Sequence, residues 1–123
     1  VKAKGADRIM LVTDAMPSVG SDCREFDLQG RRIRLSQGTL TDQAGTLAGS
    51  HLTMAGAFAN VIEQAGVSVE EASRMASATP AAFLGLDDRI GSIAPGMQAD
   101  LVVMHADGQV LASWISGVEE RFS

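Results

Sequence analysis

The strongest constraint on this chain is one strand-like run that has no companions. Ile9-Met10-Leu11-Val12-Thr13 is mostly apolar and stops at Asp14. A short continuous apolar run of this kind reads as a strand covered on both faces, as in a parallel sheet. Pro17 and Gly20 then force a loop. A parallel strand needs parallel neighbours delivered by βαβ units, and no other segment supplies them. The mismatch leads us to expect a piece of a larger α/β fold. The absence of an initiator Met points the same way. Val1-Lys2-Ala3-Lys4-Gly5 leads straight into the run with no signal-peptide pattern.

The pattern then changes. Phe26, Leu28, Ile33 and Leu35 alternate with polar residues around Gln29-Gly30, which predicts an antiparallel hairpin. Gly38 to Gly49 reads as loop, with room for one more short strand. Leu52 to Ala65 repeats apolar residues at helical spacing through Leu52, Ala55, Ala59 and Ile62, with Phe58 and Val61 widening the stripe. Ser50 is its expected N-cap and Gly66 its stop. A second helix opens on the capping box Ser68-Val69-Glu70-Glu71 and turns Ala72, Met75 and Ala76 inward. Thr79-Pro80 restarts a short helix that ends at Gly85. The tail reads as a brief strand at Gly91-Ser92-Ile93, a turn at Pro95-Gly96, and a hairpin. That hairpin runs from Asp100 to Met104, turns at Asp107-Gly108 and returns over Val110 to Ile115.

Composition excludes several classes of function. Four Phe, one Trp and no Tyr make a poor stacking platform for single-stranded nucleic acid. A net charge of −5 without a basic stripe disfavours nucleic acid and anionic membrane as partners. No apolar run reaches the length of a membrane span. Cys23 is the only cysteine, which fits a reducing compartment, and nothing near it would activate the thiol. A cytoplasmic location is the expectation.

Few residues carry chemistry. Asp14 is a carboxylate at the end of an apolar strand, before a Pro/Gly loop, where active sites of parallel α/β folds gather and a general base is wanted. Its bland alternative is a strand-ending, loop-capping Asp. Gly45-Thr46-Leu47-Ala48-Gly49-Ser50 is small enough to let backbone approach a ligand at a helix start, although an ordinary loop is the commoner meaning. His51 and His105 fit no metal-binding spacing; His51 could line a pocket beside Ser50 but is better read as an exposed first-turn histidine, and His105 reads as surface. Arg8, Arg24, Arg31, Arg32 and Arg34 could reach a phosphate but are better read as solvated charge. Met54 and Met75 read as core filler. No Ser/His/Asp set can be assembled.

Two stretches resemble a known superfamily. Gly91-Ser-Ile-Ala-Pro-Gly-Met-Gln-Ala-Asp-Leu-Val-Val103 is similar to the tail common across amidohydrolases, in which Asp100 would be structural. Leu11-Val-Thr-Asp-Ala-Met16, Gly45-Thr-Leu-Ala-Gly-Ser-His-Leu-Thr-Met54 and Ala78-Thr-Pro-Ala81 together resemble the N-acetylglucosamine-6-phosphate deacetylases. The resemblance spans essentially the whole chain. It implies the last strand and helices of a (β/α)8 TIM-like barrel over residues 1–90, with a β-hairpin insertion at about 21–47. Residues 91–123 would be C-terminal strands of a flanking β-sandwich.

The resemblance also implies chemistry. Asp14 would take a proton from metal-activated water and pass one to the departing amine. Ala48, Gly49 and Ser50 would contact substrate. A divalent metal, with zinc the expected ion, would be held by a Glu and two His outside this chain, and His51 would not be a ligand. The substrate would be a small amino-sugar phosphate, and the parent enzyme a homodimer. The 123-residue chain by itself would be inactive. Two other readings stand beside this one: a dihydroorotase-like or N-acyl-amino-acid hydrolase, and a non-catalytic interaction domain.

Overall fold

A computed structural model describes Val1 and residues 3–121. The described residues divide into two compact units, one of residues 13–53 and the other of the described residues before 13 and after 53.

The smaller unit is built on an antiparallel three-stranded sheet, β1 Glu25–Leu28, β2 Arg31–Ser36 and β3 Thr39–Asp42, in the order β1-β2-β3. Two tight turns make it. Gln29 and Gly30 have φ of 50° and 78°, and Gln37 and Gly38 have 48° and 75°. Paired positive φ values match the right-handed twist of the flanking strands. The expected hairpin is therefore present, and the extra strand lies at 39–42.

Register follows the period-two pattern. Phe26 faces Ile33, and Leu35 faces Leu40. Ile33, Leu35, Leu40 and Ala48 form the core, with Met16, Phe26 and Leu28 packed against it. Full burial of each large aliphatic side chain contributes about 1.5–3 kcal/mol. The alternate residues Arg32 and Arg34 point outward and pair with Glu25, Arg32 also with Asp27.

In the larger unit the helical run from 69 to 84 is continuous rather than restarted. α2 (Val69–Ser73) passes into a π-helical turn, Arg74–Ala78, and then into α3 (Thr79–Leu84). Pro80 cannot donate a backbone hydrogen bond. Just before it, Thr79 N–H reaches five residues back to Arg74 O, the π-type bond. The local widening accommodates the proline without breaking the rod. Both halves of the expected capping box form, Ser68 with Glu71. At the other end Gly85 is left-handed, and Leu86 N–H bonds Ala81 O in a Schellman closure.

Helix α1 is Met54–Ala65, two residues shorter at its start than its apolar spacing suggests. Phe58, Val67 and Ala72 are buried together, and Val61, Ile62, Ala76 and Met104 pack on them. Met75 is buried as expected, whereas Met54 is 43% exposed and does not fill the core. The second sheet is antiparallel, β4 Leu101–Met104, β5 Val110–Ile115 and β6 Val118–Arg121. Its first turn is closed by His105 N–H to Gln109 O and Gly108 N–H to His105 O. Asp100 is structural, as expected: its two carboxylate oxygens accept from Ser116 N–H and Gln98 Nε2.

Two expected strands are absent. Residues 91–93 form a bend and an irregular segment. Residues 9–13 run without ladder pairing, and exposure alternates along them, with Val12 78% exposed. A strand exists by pairing, and among the described residues none runs beside 9–13 to pair with it. Leu11 N–H instead donates to Met75 O.

Candidate active site

Asp14 lies in the smaller unit in a left-handed backbone conformation, φ 53°. Few non-glycine residues adopt this region, and Asp is among those that do. Neighbouring bonds hold it. Ser50 N–H donates to Asp14 O at 2.9 Å, and Met16 N–H donates to Ser50 O at 3.0 Å. Together these make a short parallel bridge between Ala15 and Ser50. Ser50 Oγ donates to Thr13 O and accepts from Leu52 N–H. The Asp14 side chain is exposed, and among the described residues its carboxylate has no hydrogen-bond or ion-pair partner.

The glycine-rich stretch is placed by Asp42. Its Oδ1 accepts from Ala44 N–H and Thr46 N–H, folding 42–46 into a turn. These bonds hold the Asp42 carboxyl below the usual carboxylate range, the Thr46 amide most strongly. The chain then runs back along β3, with Ala48 N–H donating to Leu40 O at 3.0 Å. Ala48 is buried in the core. Gly49 has φ 74°, and a Cβ there would collide with the Met16 side chain and lie 3.1 Å from Asp14 O. Only glycine gives this close approach at low cost.

The structure therefore brings Asp14, Gly49 and Ser50 together, with Ala48 as the buried anchor behind them. Ser50 is not the N-cap of α1, which begins at Met54. Its hydroxyl is committed to Thr13 and Leu52 instead.

Sequence reasoning missed Ser18. It is fully buried, and its Oγ lies 2.9 Å from His51 Nδ1. His51 is thus half-buried and bonded, not a surface group in a first helical turn. A Pro-Ser pair in a loop gives no sequence signal of burial. His105 is exposed, as expected. The arginines of β2 are paired at the surface, Arg31 with Asp42 and the others with Glu25.

Among the described residues, no three His, Cys, Asp or Glu side chains gather closely enough to hold a metal ion. The resemblance expects the metal's ligands outside this chain. A cleft of about 600 Å³ in the larger unit, bordered by Arg74, Ser77, Ile93 and Asp100, is lined by none of Asp14, Ser18, Ala48, Gly49, Ser50 and His51. No helix among the described residues is long and apolar enough to cross a membrane.

The site thus presents an exposed carboxylate on a left-handed backbone held by the Asp14–Ser50 and Ser50–Met16 bonds. The chain belongs to the amidohydrolase family, whose model matches residues 3–119. Within it, the chain is similar to deacetylases of N-acetylated amino-sugar phosphates. It is 43% identical over 116 residues to an N-acetylgalactosamine-6-phosphate deacetylase of Shewanella sp., covering 94% of this chain and 29% of that protein.

Solved structures agree. N-acetylglucosamine-6-phosphate deacetylase from Pasteurella multocida superposes with a TM-score of 0.89 at 31% identity, over 94% of this chain and 31% of that one. A variant of the Mycobacterium smegmatis enzyme, in complex with N-acetyl-D-glucosamine-6-phosphate, gives 0.84 at 31% identity, over 96% and 32%. The chain thus spans about three tenths of each of these relatives. Its two antiparallel sheets and helices match part of the deacetylase structures.

Proposed function

We propose that this chain is the portion of an amidohydrolase that carries the proton-transfer carboxylate, Asp14, for hydrolysis of the N-acetyl group of N-acetylglucosamine 6-phosphate. The products are glucosamine 6-phosphate and acetate. Asp14 takes a proton from the attacking water and returns one to the departing amine. The observation that carries the reading is the braced, left-handed Asp14 with an unpartnered carboxylate, in a chain matched along its length by deacetylases.

In this reading residues 1–90 belong to the closing part of a (β/α)8 barrel, with the 21–47 hairpin inserted, and residues 91–123 to a flanking β-sandwich. Gly49 and Ser50 present backbone to the sugar, and Ala48 anchors them. The divalent metal, zinc in our reading, is held by side chains outside these residues. The 123-residue chain alone is then inactive, and the complete enzyme is a cytoplasmic homodimer.

One observation favours a second reading of the sugar. The Shewanella relative, at 43% identity, is named for the galactosamine epimer. Turnover of both epimers by the complete polypeptide decides between them. Asp14→Asn in that polypeptide should lower kcat by about 10²–10⁴-fold, the range for loss of a general base. An unchanged kcat would end the assignment of Asp14.

A further inference from the structure

Ser18 is the one buried polar side chain among the described residues, and the reading of Asp14 does not use it. It sits inside the turn that follows Asp14, closed by Val19 N–H to Met16 O at 3.0 Å. Its hydroxyl bonds His51 Nδ1 at 2.9 Å, across 33 positions of sequence. His51 directly follows Ser50, whose amide and carbonyl bond Asp14 and Met16. The side-chain bond thus lies one residue beyond the backbone bridge on one side and two beyond it on the other.

We propose that Ser18 and His51 are a positioning pair for Asp14, locking the loop that leaves the carboxylate so that its left-handed backbone is kept. The proposal rests on Asp14 being the proton-transfer group. A buried hydroxyl needs a partner, and a histidine ring offers one in a fixed direction. Without this bond the polar link between the 15–18 turn and the 48–51 segment is the short backbone bridge, with Met16 packed on the Ala48 cluster beside it. Small displacements of a reacting group are costly in rate, because the aligned geometry is what catalysis depends on.

The test uses Ser18→Ala, His51→Ala and His51→Asn in the complete polypeptide. Asn retains a polar atom near the position of Nδ1. Both alanine variants should lose kcat by on the order of ten- to a hundredfold, with KM little changed. His51→Asn should recover much of the loss. The double alanine variant should be no worse than either single one, because both remove the same bond. Loss of thermal stability with kcat intact would overturn the proposal and leave the pair merely structural. Wild-type protein that deacetylates neither epimer would instead overturn the reading of Asp14. Amide exchange separates the two failures. The Ser50 and Met16 amides should exchange faster in Ser18→Ala than in wild type, whatever the turnover, and equal rates would overturn the pairing itself.

Discussion

Ser50 and Asp14 are joined backbone to backbone: the Ser50 amide donates to the Asp14 carbonyl at 2.9 Å, across 36 positions of sequence. This bond makes Gly49 the sensitive neighbour. Any side chain there meets Met16 and approaches the same carbonyl. Gly49→Ala should destabilise the chain by about 1–3 kcal/mol, since a β-carbon must be forced into a left-handed position as well as into occupied space. Urea unfolding followed by the exchange of the β2 and β3 backbone amides measures this, and a loss below about 0.5 kcal/mol would show that the loop relaxes freely.

The two hairpin turns carry glutamine where left-handed backbone is needed. Gln37 has φ 48°. Asparagine tolerates this conformation better than glutamine does. Gln37→Asn should therefore raise stability by about 0.5 kcal/mol, within the usual range for relieving such strain. A matching rise in the thermal midpoint is the check.

Acid should weaken the smaller unit. Asp42 has its carboxyl held low, first by the Thr46 amide. Glu25 is held low by its hydrogen bonds to Arg32 and then Arg34. A carboxylate whose pKa falls on folding stabilises the fold above its unfolded pKa, and this is lost as pH drops through the folded value. The arginine partners of both groups are solvent-exposed, so salt should reduce the ion-pair part of the effect. Thermal midpoints should fall as pH drops below about 4, the unfolded carboxylate range, and less steeply in Asp42→Asn. An identical acid slope in that variant would remove Asp42 from the account.

The capping box offers an independent measurement in the larger unit. Ser68 Oγ accepts from Glu71 N–H at 3.2 Å, and Glu71 Oε2 accepts from Ser68 N–H at 2.9 Å. Ser68→Ala should cost about 1 kcal/mol. Glu71→Ala in addition should cost less than it does alone, because the two bonds are reciprocal.

The sequence by itself determined the elements whose cause is local. The capping box needs only Ser68 and Glu71, three positions apart. The 25–36 hairpin needs only its period of two and a turn at Gln29-Gly30, and the helix end at Gly85 needs only a missing Cβ. Asp14 could be singled out as a strand-end carboxylate, and the loop motif at 45–50 pointed to its partners.

Tertiary structure decided the rest, because it turns on contacts distant in sequence. Residues 9–13 have strand composition but no strand beside them among the described residues, so they form no ladder. Proline at position 80 bends the hydrogen-bond pattern to a π turn without stopping the helix, because flanking turns on both sides hold it. Ser50 left the expected helix cap to bond Thr13. Ser18 and His51 meet only because the β3 return brings position 51 beside the loop after Asp14. Local chemistry can nominate a carboxylate, but the bonds that hold its backbone in place are long-range, and only the folded chain forms them.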